Sequence, residues 1–151
     1  MPATTHQDTV RTVHWMGTEY AITVTGRDSA GIIGVFEGTI PVGEGPPIHI
    51  HHNEDEVIHV IDGVYEFWLD GEVSRARPGA SVFLPRGVPH TFRVVGDSAG
   101  RSLAIVTPGG FENFFIEASE RGLMIPDHMA ALGELAALYG LEFLGPAVWP
   151  N

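Results

Sequence analysis

The 151-residue sequence contains no cysteine and no lysine, since all eight of its basic residues are arginines. Without cysteine the chain cannot form disulfides, thiolate nucleophiles or cysteine-based zinc sites. Without lysine it cannot form a lysine Schiff base. It also lacks a GxSxG nucleophile elbow and the GxGxxG and GxxxxGK[ST] phosphate loops. Any chemistry must therefore come from histidine, aspartate, glutamate and a bound cofactor.

Long apolar runs and positive charge are scarce as well. No apolar run approaches the ~20 residues that span a bilayer, and the first residues, MPATTHQDTVRTVHW, lack the basic and apolar regions of a secretory signal. The formal net charge of −11 disfavours contact with nucleic-acid phosphates and anionic membranes. We therefore expect a cytoplasmic protein with no nucleic-acid partner and no membrane partner.

Short strands are predicted throughout the first 110 residues, because glycine and proline interrupt runs rich in valine, isoleucine, threonine and phenylalanine at short intervals. The predicted strands are 9–15, 19–25, 32–41, 48–52, 56–61, 64–69, 72–76, 80–84, 90–95 and 101–107. The dipeptides Asp62-Gly63 and Asp70-Gly71 tolerate the positive φ angles of two-residue hairpins, so residues 56–76 are predicted to form a meander. At this length we expect one all-β domain over residues 1–151, with its barrel at about 9–107.

The character of the sequence changes after Pro108. Segments 111–121 and 127–139 have helical periodicity, and the second is predicted to begin with Asp127 as N-cap and to end at Gly140. One interpretation is that these helices pack on the outside of the barrel. The other is that Phe111, Phe114 and Phe115 cover a hydrophobic substrate pocket.

Metal-binding side chains are concentrated in residues 43–63, GEGPPIHIHHNEDEVIHVIDG. Side chains alternate between the faces of a strand, so His49 and His51 point the same way. Glu56 begins the next strand, where it can face the same interior. Two imidazoles and one carboxylate suit several divalent transition metals and leave coordination positions open. His90, delivered by the stiff turn PRGVPH, is the best candidate for a fourth ligand.

These segments resemble the two cupin motifs. The first motif, G(x)5HxH(x)4E(x)6G, is matched by Gly43, His49, His51, Glu56 and Gly63. The second, G(x)5PxG(x)2H(x)3N, is matched by Gly79, Pro85, Gly87 and His90, whereas Val94 replaces its final asparagine. The resemblance covers about residues 30–107. It implies an all-β double-stranded β-helix, or jelly-roll barrel, with a metal site formed by His49, His51, Glu56 and His90.

A closer resemblance is to the quercetin 2,3-dioxygenase-like single-domain cupins. It rests on the segments PPIHIHHNEDEVIHVIDGVYEFWLDG, FLPRGVPHTFRV and TPGGFENFF, and it includes a short helical C-terminal extension at about 108–151. The resemblance implies a metal-dependent dioxygenase that cleaves a flavonol with release of carbon monoxide. It also implies a homodimer formed through the sheets.

An apolar pocket is predicted beside the metal site. Strand parity places Ile58 on the face of Glu56 and Phe92 on the face of His90, and valine at position 94 removes a polar group from the pocket. The predicted pocket residues are Phe36, Ile58, Val60, Phe67, Phe92 and Val94. Such a wall suits a small hydrophobic or aromatic substrate that carries a metal-binding oxygen. Plain core packing is the alternative for each of these residues.

The predicted mechanism assigns Glu56 two roles, metal ligand and general base for a substrate hydroxyl next to a carbonyl, with O2 as cosubstrate. The expected metal is Fe, Mn, Ni, Co, Cu or Zn, because the same ligand set accepts each of them. Three alternatives stay open: a metal-dependent isomerase, cyclase, dehydratase or decarboxylase of natural-product metabolism, a non-catalytic ligand-binding cupin, and a metal-independent structural protein.

The remaining histidines and the acidic residues near the motif are not expected to bind the metal. His52 has the opposite strand parity to His51, so it is predicted to point outward, and His59 is out of phase with Glu56. Glu54 and Asp55 are expected to be solvated or to support the ligands. Spacing gives no role to His6, His14 or His128.

Overall fold

The computed structural model describes residues 10–150. Thr9, the first residue of the predicted first strand, and His6 lie outside the described residues. The elements follow one another in this order: β1 Arg11–Trp15, β2 Thr18–Val24, β3 Gly34–Ile40, β4 Ile48–His51, β5 Asp55–Asp62, β6 Val64–Leu69, β7 Glu72–Ala76, β8 Ser81–Leu84, β9 His90–Val95, β10 Gly100–Thr107, α1 Asn113–Glu120, α2 Met129–Leu138 and β11 Leu141–Gly145.

Two antiparallel sheets form the body of the fold. The six-stranded sheet has the order β1-β2-β3-β10-β5-β8, and the five-stranded sheet has the order β11-β4-β9-β6-β7. Strand β5 alternates between partly exposed and buried side chains, so that Glu56, Ile58 and Val60 share its buried face. Side chains of the two sheets meet, since a Cβ added to Gly100 of β10 would lie 2.6 Å from Val94 of β9. The predicted all-β jelly roll with a helical extension is confirmed.

One of the two predicted hairpins is correct. Asp70 and Gly71 both have positive φ, 48° and 94°, and they join β6 to β7 as antiparallel neighbours. The meander predicted for residues 56–76 is wrong at Asp62-Gly63, because β5 pairs with β10 and β8 and lies in the other sheet from β6. Gly63 has a φ of 79° and passes so close to Ala99 that an added Cβ would lie 2.7 Å from its carbonyl oxygen. This glycine serves a crossing between sheets.

The C-terminal extension contains both predicted helices and one further strand. The predicted N-cap Asp127 is wrong, because His128 occupies that position and its Nδ1 accepts a hydrogen bond from the Met124 amide at 3.0 Å. Strand β11 was not predicted. It pairs with β4, with Leu141 opposite His51 and Phe143 opposite His49. In residues 10–150 neither helix is long and apolar enough to cross a membrane.

Candidate metal centre

Three buried histidines converge where the neighbouring strands β4 and β9 of the five-stranded sheet pair with each other. His49 and His51 lie on β4, and His90, which begins β9, is the direct cross-strand partner of His49. Their exposed fractions are 9%, 2% and 1%, and one ring nitrogen from each lies within 4.8 Å of the others. Among residues 10–150 this buried histidine group could bind a metal ion, as the alternation of the strand predicts.

The hydrogen bonds of two of these rings leave the same nitrogen free. His49 Nδ1 donates to the Pro47 carbonyl at 2.8 Å, and His90 Nδ1 donates to the Val88 carbonyl at 3.1 Å. Carbonyl oxygens only accept hydrogen bonds, so each Nε2 keeps its lone pair. His90 Nε2 is buried and has no hydrogen-bond partner within the described chain. A buried nitrogen lone pair without a donor fits a metal ion.

Burial keeps the imidazole of His49 neutral. The pKa of His49 is well below its ordinary value, chiefly because burial penalises the charged imidazolium and also because His90 and His51 lie close by. A metal binds the neutral imidazole, so the environment favours the form that can act as ligand.

Glu56 brings a carboxylate to the same place from the opposite sheet. It lies on β5 with 5% of its surface exposed, and its Oε1 is 3.5 Å from His90 Nε2 and 3.9 Å from His51 Nε2. The carboxylate therefore borders the histidine group. Its roles as fourth ligand and general base stay predictions.

A second buried carboxylate faces His51 from the other side. Glu54 has an exposed fraction of 5%, and its Oε2 lies 3.5 Å from His51 Nδ1. Neither of these two buried atoms has a hydrogen-bond partner in residues 10–150. Glu54 is thus placed to orient the His51 ring.

Asp55 and the outward histidines form ordinary surface interactions. The carboxylate of Asp55 accepts hydrogen bonds from the amide and guanidinium of Arg86, which lower the pKa of Asp55. His52 pairs with Glu142 at 2.7 Å, and His59 contacts the Ser81 hydroxyl at 2.8 Å. Neither histidine belongs to the buried group formed by His49, His51 and His90.

A cavity of about 70 Å³, which we name the inner cavity, extends from His49, His51 and Glu56 into the barrel. Of the predicted pocket residues, Phe36, Ile58 and Phe92 line it. The others, Val60, Phe67 and Val94, have exposed fractions of 0% and lie in the core instead. They point inward as strand parity requires, but close packing fills the space beyond them.

The C-terminal extension supplies much of the wall of the inner cavity. Phe111, Phe114 and Phe115 line it, as the second interpretation of that segment requires, and substrate binding there stays a prediction. Their backbone is held in place by Glu112, a fully buried carboxylate that accepts hydrogen bonds from the amides of Gly26 and Gly110 at 2.6 and 2.8 Å. The aromatic segment is therefore anchored to the barrel over the histidine group.

Several wall residues were not predicted from the sequence. They are Trp15, Tyr20, Gly38, Ile40, Pro46, Ser102, Ala104, Leu141 and Phe143. Tyr20 could have been found by strand parity, since it shares the inner face of β2 with the buried Thr18 and Ile22. Phe143 could not, because only the pairing of β11 with β4 brings it opposite His49.

The family model of the cupin domain matches residues 36–106, and this range includes all four predicted metal ligands. The chain contains a cupin domain. Its sequence is 38% identical to quercetin 2,3-dioxygenase of Bacillus subtilis over 52 residues, which are 34% of this chain and 15% of that protein. It is 33% identical to polyketide synthase CurC of Streptomyces cyaneus over 66 residues, which are 44% of this chain and 43% of that protein. The chain thus matches less than half the length of these curated relatives.

Solved structures share the fold of this chain. KdgF from Halomonas sp. has a TM-score of 0.62 and 16% identity, with 73% of this chain and 96% of that chain covered. The polyketide cyclase RemF from Streptomyces resistomycificus has a TM-score of 0.58 and 24% identity, with 71% and 80% covered. At these identities the similarity of this chain to both structures establishes the architecture alone.

Proposed function

We propose that this cupin is a metal-dependent dioxygenase that acts on a flavonol-like or other enolizable aromatic substrate. His49, His51, Glu56 and His90 would together hold one divalent transition metal ion, Fe, Mn, Ni, Co, Cu or Zn. The observation that carries the proposal is the buried histidine group with a carboxylate beside it, at the end of a cavity with aromatic walls. The similarity to quercetin 2,3-dioxygenase supports the choice of reaction.

When bound, the metal ion would act as a Lewis acid toward the substrate's oxygen atoms and would support chemistry with O2. The protein's own contribution to the reaction comes from Glu56, whose carboxylate would take the proton of a substrate hydroxyl next to a carbonyl. Its Oε1 lies only 3.5 Å from His90 Nε2, so the atom that would accept the proton is next to the histidines that would hold the metal. The substrate is left as an electron-rich enolate.

The inner cavity favours an aromatic substrate because its walls are mostly apolar. Phe36, Phe111 and Phe115 are among the residues that line it, and their ring centroids lie 5.2 to 6.4 Å apart. Such rings bind a flat hydrophobic molecule and exclude water from the carboxylate. The polar groups at the histidine end would then orient the substrate's oxygen atoms.

The second candidate function uses the same general base, Glu56, in a reaction that does not consume O2. The sequence match to polyketide synthase CurC and the shared fold of the polyketide cyclase RemF favour a cyclase or a related isomerase or decarboxylase. Proton removal by Glu56 next to a carbonyl would serve such reactions equally well. A non-catalytic ligand-binding role predicts binding without any chemical change in the ligand.

The test combines metal analysis with oxygen uptake. Protein reconstituted with each of the candidate metals is mixed with flavonols in an oxygen electrode. The Glu56→Gln variant is compared with His59→Ala, because the His59 side chain hydrogen-bonds to the Ser81 hydroxyl away from the buried histidine group. We expect metal in near-stoichiometric amounts and O2 uptake that Glu56→Gln abolishes and His59→Ala retains. Turnover that continues unchanged without O2 favours the cyclase class, and substrate recovered intact after binding contradicts both enzyme classes.

The proposal extends to the organisation of the protein. We propose that residues 1–151 form one cupin domain, that two copies associate through their sheets, and that the homodimer works in the cytoplasm on a small hydrophobic substrate. The net charge of −11 supports the absence of a nucleic-acid partner. Light scattering coupled to size exclusion would give twice the chain mass of 16.3 kDa if the dimer forms.

A further inference from the structure

The ring of His49 is oriented by the main chain of the segment that precedes β4. Its Nδ1 donates to the carbonyl of Pro47, which lies two residues earlier and outside the strand. Residues 43–47, which lead to this carbonyl, form no helix or strand, and we name them the proline strap. The direction of the His49 ring therefore depends on how firmly the proline strap is held.

The first half of the proline strap is bound to strand β9. The Gly43 amide donates to the Val94 carbonyl at 2.8 Å, and the Val94 amide donates to the Glu44 carbonyl at 3.0 Å. Gly45 lies so close to β9 that an added Cβ would overlap the carbonyl oxygen of Phe92. These contacts all lie before the two prolines of the strap.

The second half of the proline strap is held by the side chain of Thr91. This residue follows His90 on β9 and is fully buried, and its Oγ1 donates to the Pro46 carbonyl at 2.6 Å, with a longer contact of 3.5 Å to the Phe92 carbonyl. Pro46 and Pro47 have no N–H, so neither can donate an amide hydrogen bond to β9. Because each ring fixes φ and a residue before proline is itself restricted, a shift of the Pro46 carbonyl also moves the Pro47 carbonyl.

We propose that Thr91 is a positioning residue of the metal centre: its hydroxyl holds the proline strap, and the strap fixes the direction of the His49 ring. Strand β9 then has two roles, because it supplies His90 and also orients a second histidine through the neighbouring residue. The inference rests on the proposed function where it takes His49 as a metal ligand. The hydrogen bonds themselves belong to the chain without metal.

Three variants separate the hydroxyl of Thr91 from the rest of its side chain. Thr91→Val replaces the hydroxyl with a methyl group of similar size and should release the strap, whereas Thr91→Ser keeps the hydroxyl. The matched control is Thr23→Val, because the Thr23 Oγ1 also donates to a backbone carbonyl, that of Val35 at 3.2 Å. Neither Thr23 nor Val35 lines the inner cavity.

The first measurement is the exchange of the imidazole Nδ1 protons with water, followed by NMR in the metal-free protein. We expect the His49 proton to exchange about fivefold faster in Thr91→Val than in the native protein, as for the loss of one neutral hydrogen bond. The His90 proton is the internal reference, since it bonds to the Val88 carbonyl, and its exchange should stay unchanged. Thr91→Ser and Thr23→Val should match the native protein at both protons.

The second measurement is the affinity for Zn²⁺, obtained by competition with a chelator. Thr91→Val should bind Zn²⁺ about tenfold more weakly than the native protein, while Thr91→Ser and Thr23→Val should retain the native affinity. Zinc affinity that is unchanged in Thr91→Val, or reduced equally in Thr23→Val, would overturn the positioning role.

The exchange data distinguish positioning from a general loosening of the structure. Faster exchange of both histidine protons in Thr91→Val, or native exchange of the His49 proton, would also contradict the role of Thr91. If the His49 proton alone responds but the native protein binds none of the candidate metals, the hold of Thr91 on His49 is supported and the proposed function fails.

Discussion

Neighbouring residues where β4 passes into β5 are of similar types and have opposite surroundings. His51 points inward, is 2% exposed and joins the buried histidine group, whereas the next residue, His52, has half of its side chain exposed and pairs with Glu142. Glu54 is buried against His51, while Asp55 binds Arg86 at the surface. Residue type alone therefore says little about which side chain could hold a metal ion, and the direction in which the side chain points separates the buried group from the surface pairs.

The largest expected effect is loss of metal on removal of an inner histidine. His90→Ala takes away a buried nitrogen that has no hydrogen-bond partner in the described chain, so bound metal should fall from about one ion per chain to less than about a tenth. His52→Ala should leave metal content unchanged. Elemental analysis of the purified variants measures both. Equal metal loss in the two variants would break the distinction between the faces.

Apolar side chains should show the same contrast in stability. Phe67 is fully buried on β6, so Phe67→Ala should lower the free energy of unfolding by about 3–5 kcal/mol. Phe83 is 58% exposed on β8, and Phe83→Ala should change the free energy of unfolding by less than about 0.5 kcal/mol. Urea unfolding followed by circular dichroism gives both values. A large cost at Phe83 would indicate that the outer face is covered in an assembly.

Glu54 and Asp55 provide a smaller and sharper comparison. Glu54→Gln replaces the carboxylate that faces His51 Nδ1 at 3.5 Å, so metal affinity should fall about tenfold. Asp55→Asn should leave affinity unchanged, because Asp55 contacts Arg86 and no histidine. Competition with a metal chelator measures the two affinities. If Glu54→Asp restores affinity, the role of Glu54 is to orient His51 rather than to fill space.

The smallest effect concerns acid stability. Arg86 lowers the pKa of Asp55 below its ordinary value of 3.8, so the folded state binds this proton less readily than the unfolded state. The stabilisation is present above pH 3.8 and is lost as the pH falls below it. Asp55→Asn should therefore slightly flatten the loss of stability in acid, measured as urea midpoints from pH 6 to pH 3. An unchanged slope would show that solvent screens the pair completely.

Local patterns in the sequence were sufficient for much of the fold. The positions of most strands and the β6–β7 hairpin follow from alternation and from the Asp70-Gly71 dipeptide. The same turn chemistry failed at Asp62-Gly63, because a positive φ at glycine serves a crossing between sheets as well as a hairpin. Strand β11 was missed because it is short and half exposed, and its pairing partner β4 lies 90 residues earlier in the chain.

The sequence by itself determined which side chains share a face and which atoms they offer to a metal, since a strand alternates with a period of two and motif spacing sets the residue types. Only the tertiary structure decided the distances between His49, His90 and Glu56, which come from three strands in two sheets. It also decided which inward side chains line a cavity and which fill the core. Both depend on the packing of chain segments far apart in sequence, and no local pattern encodes that packing.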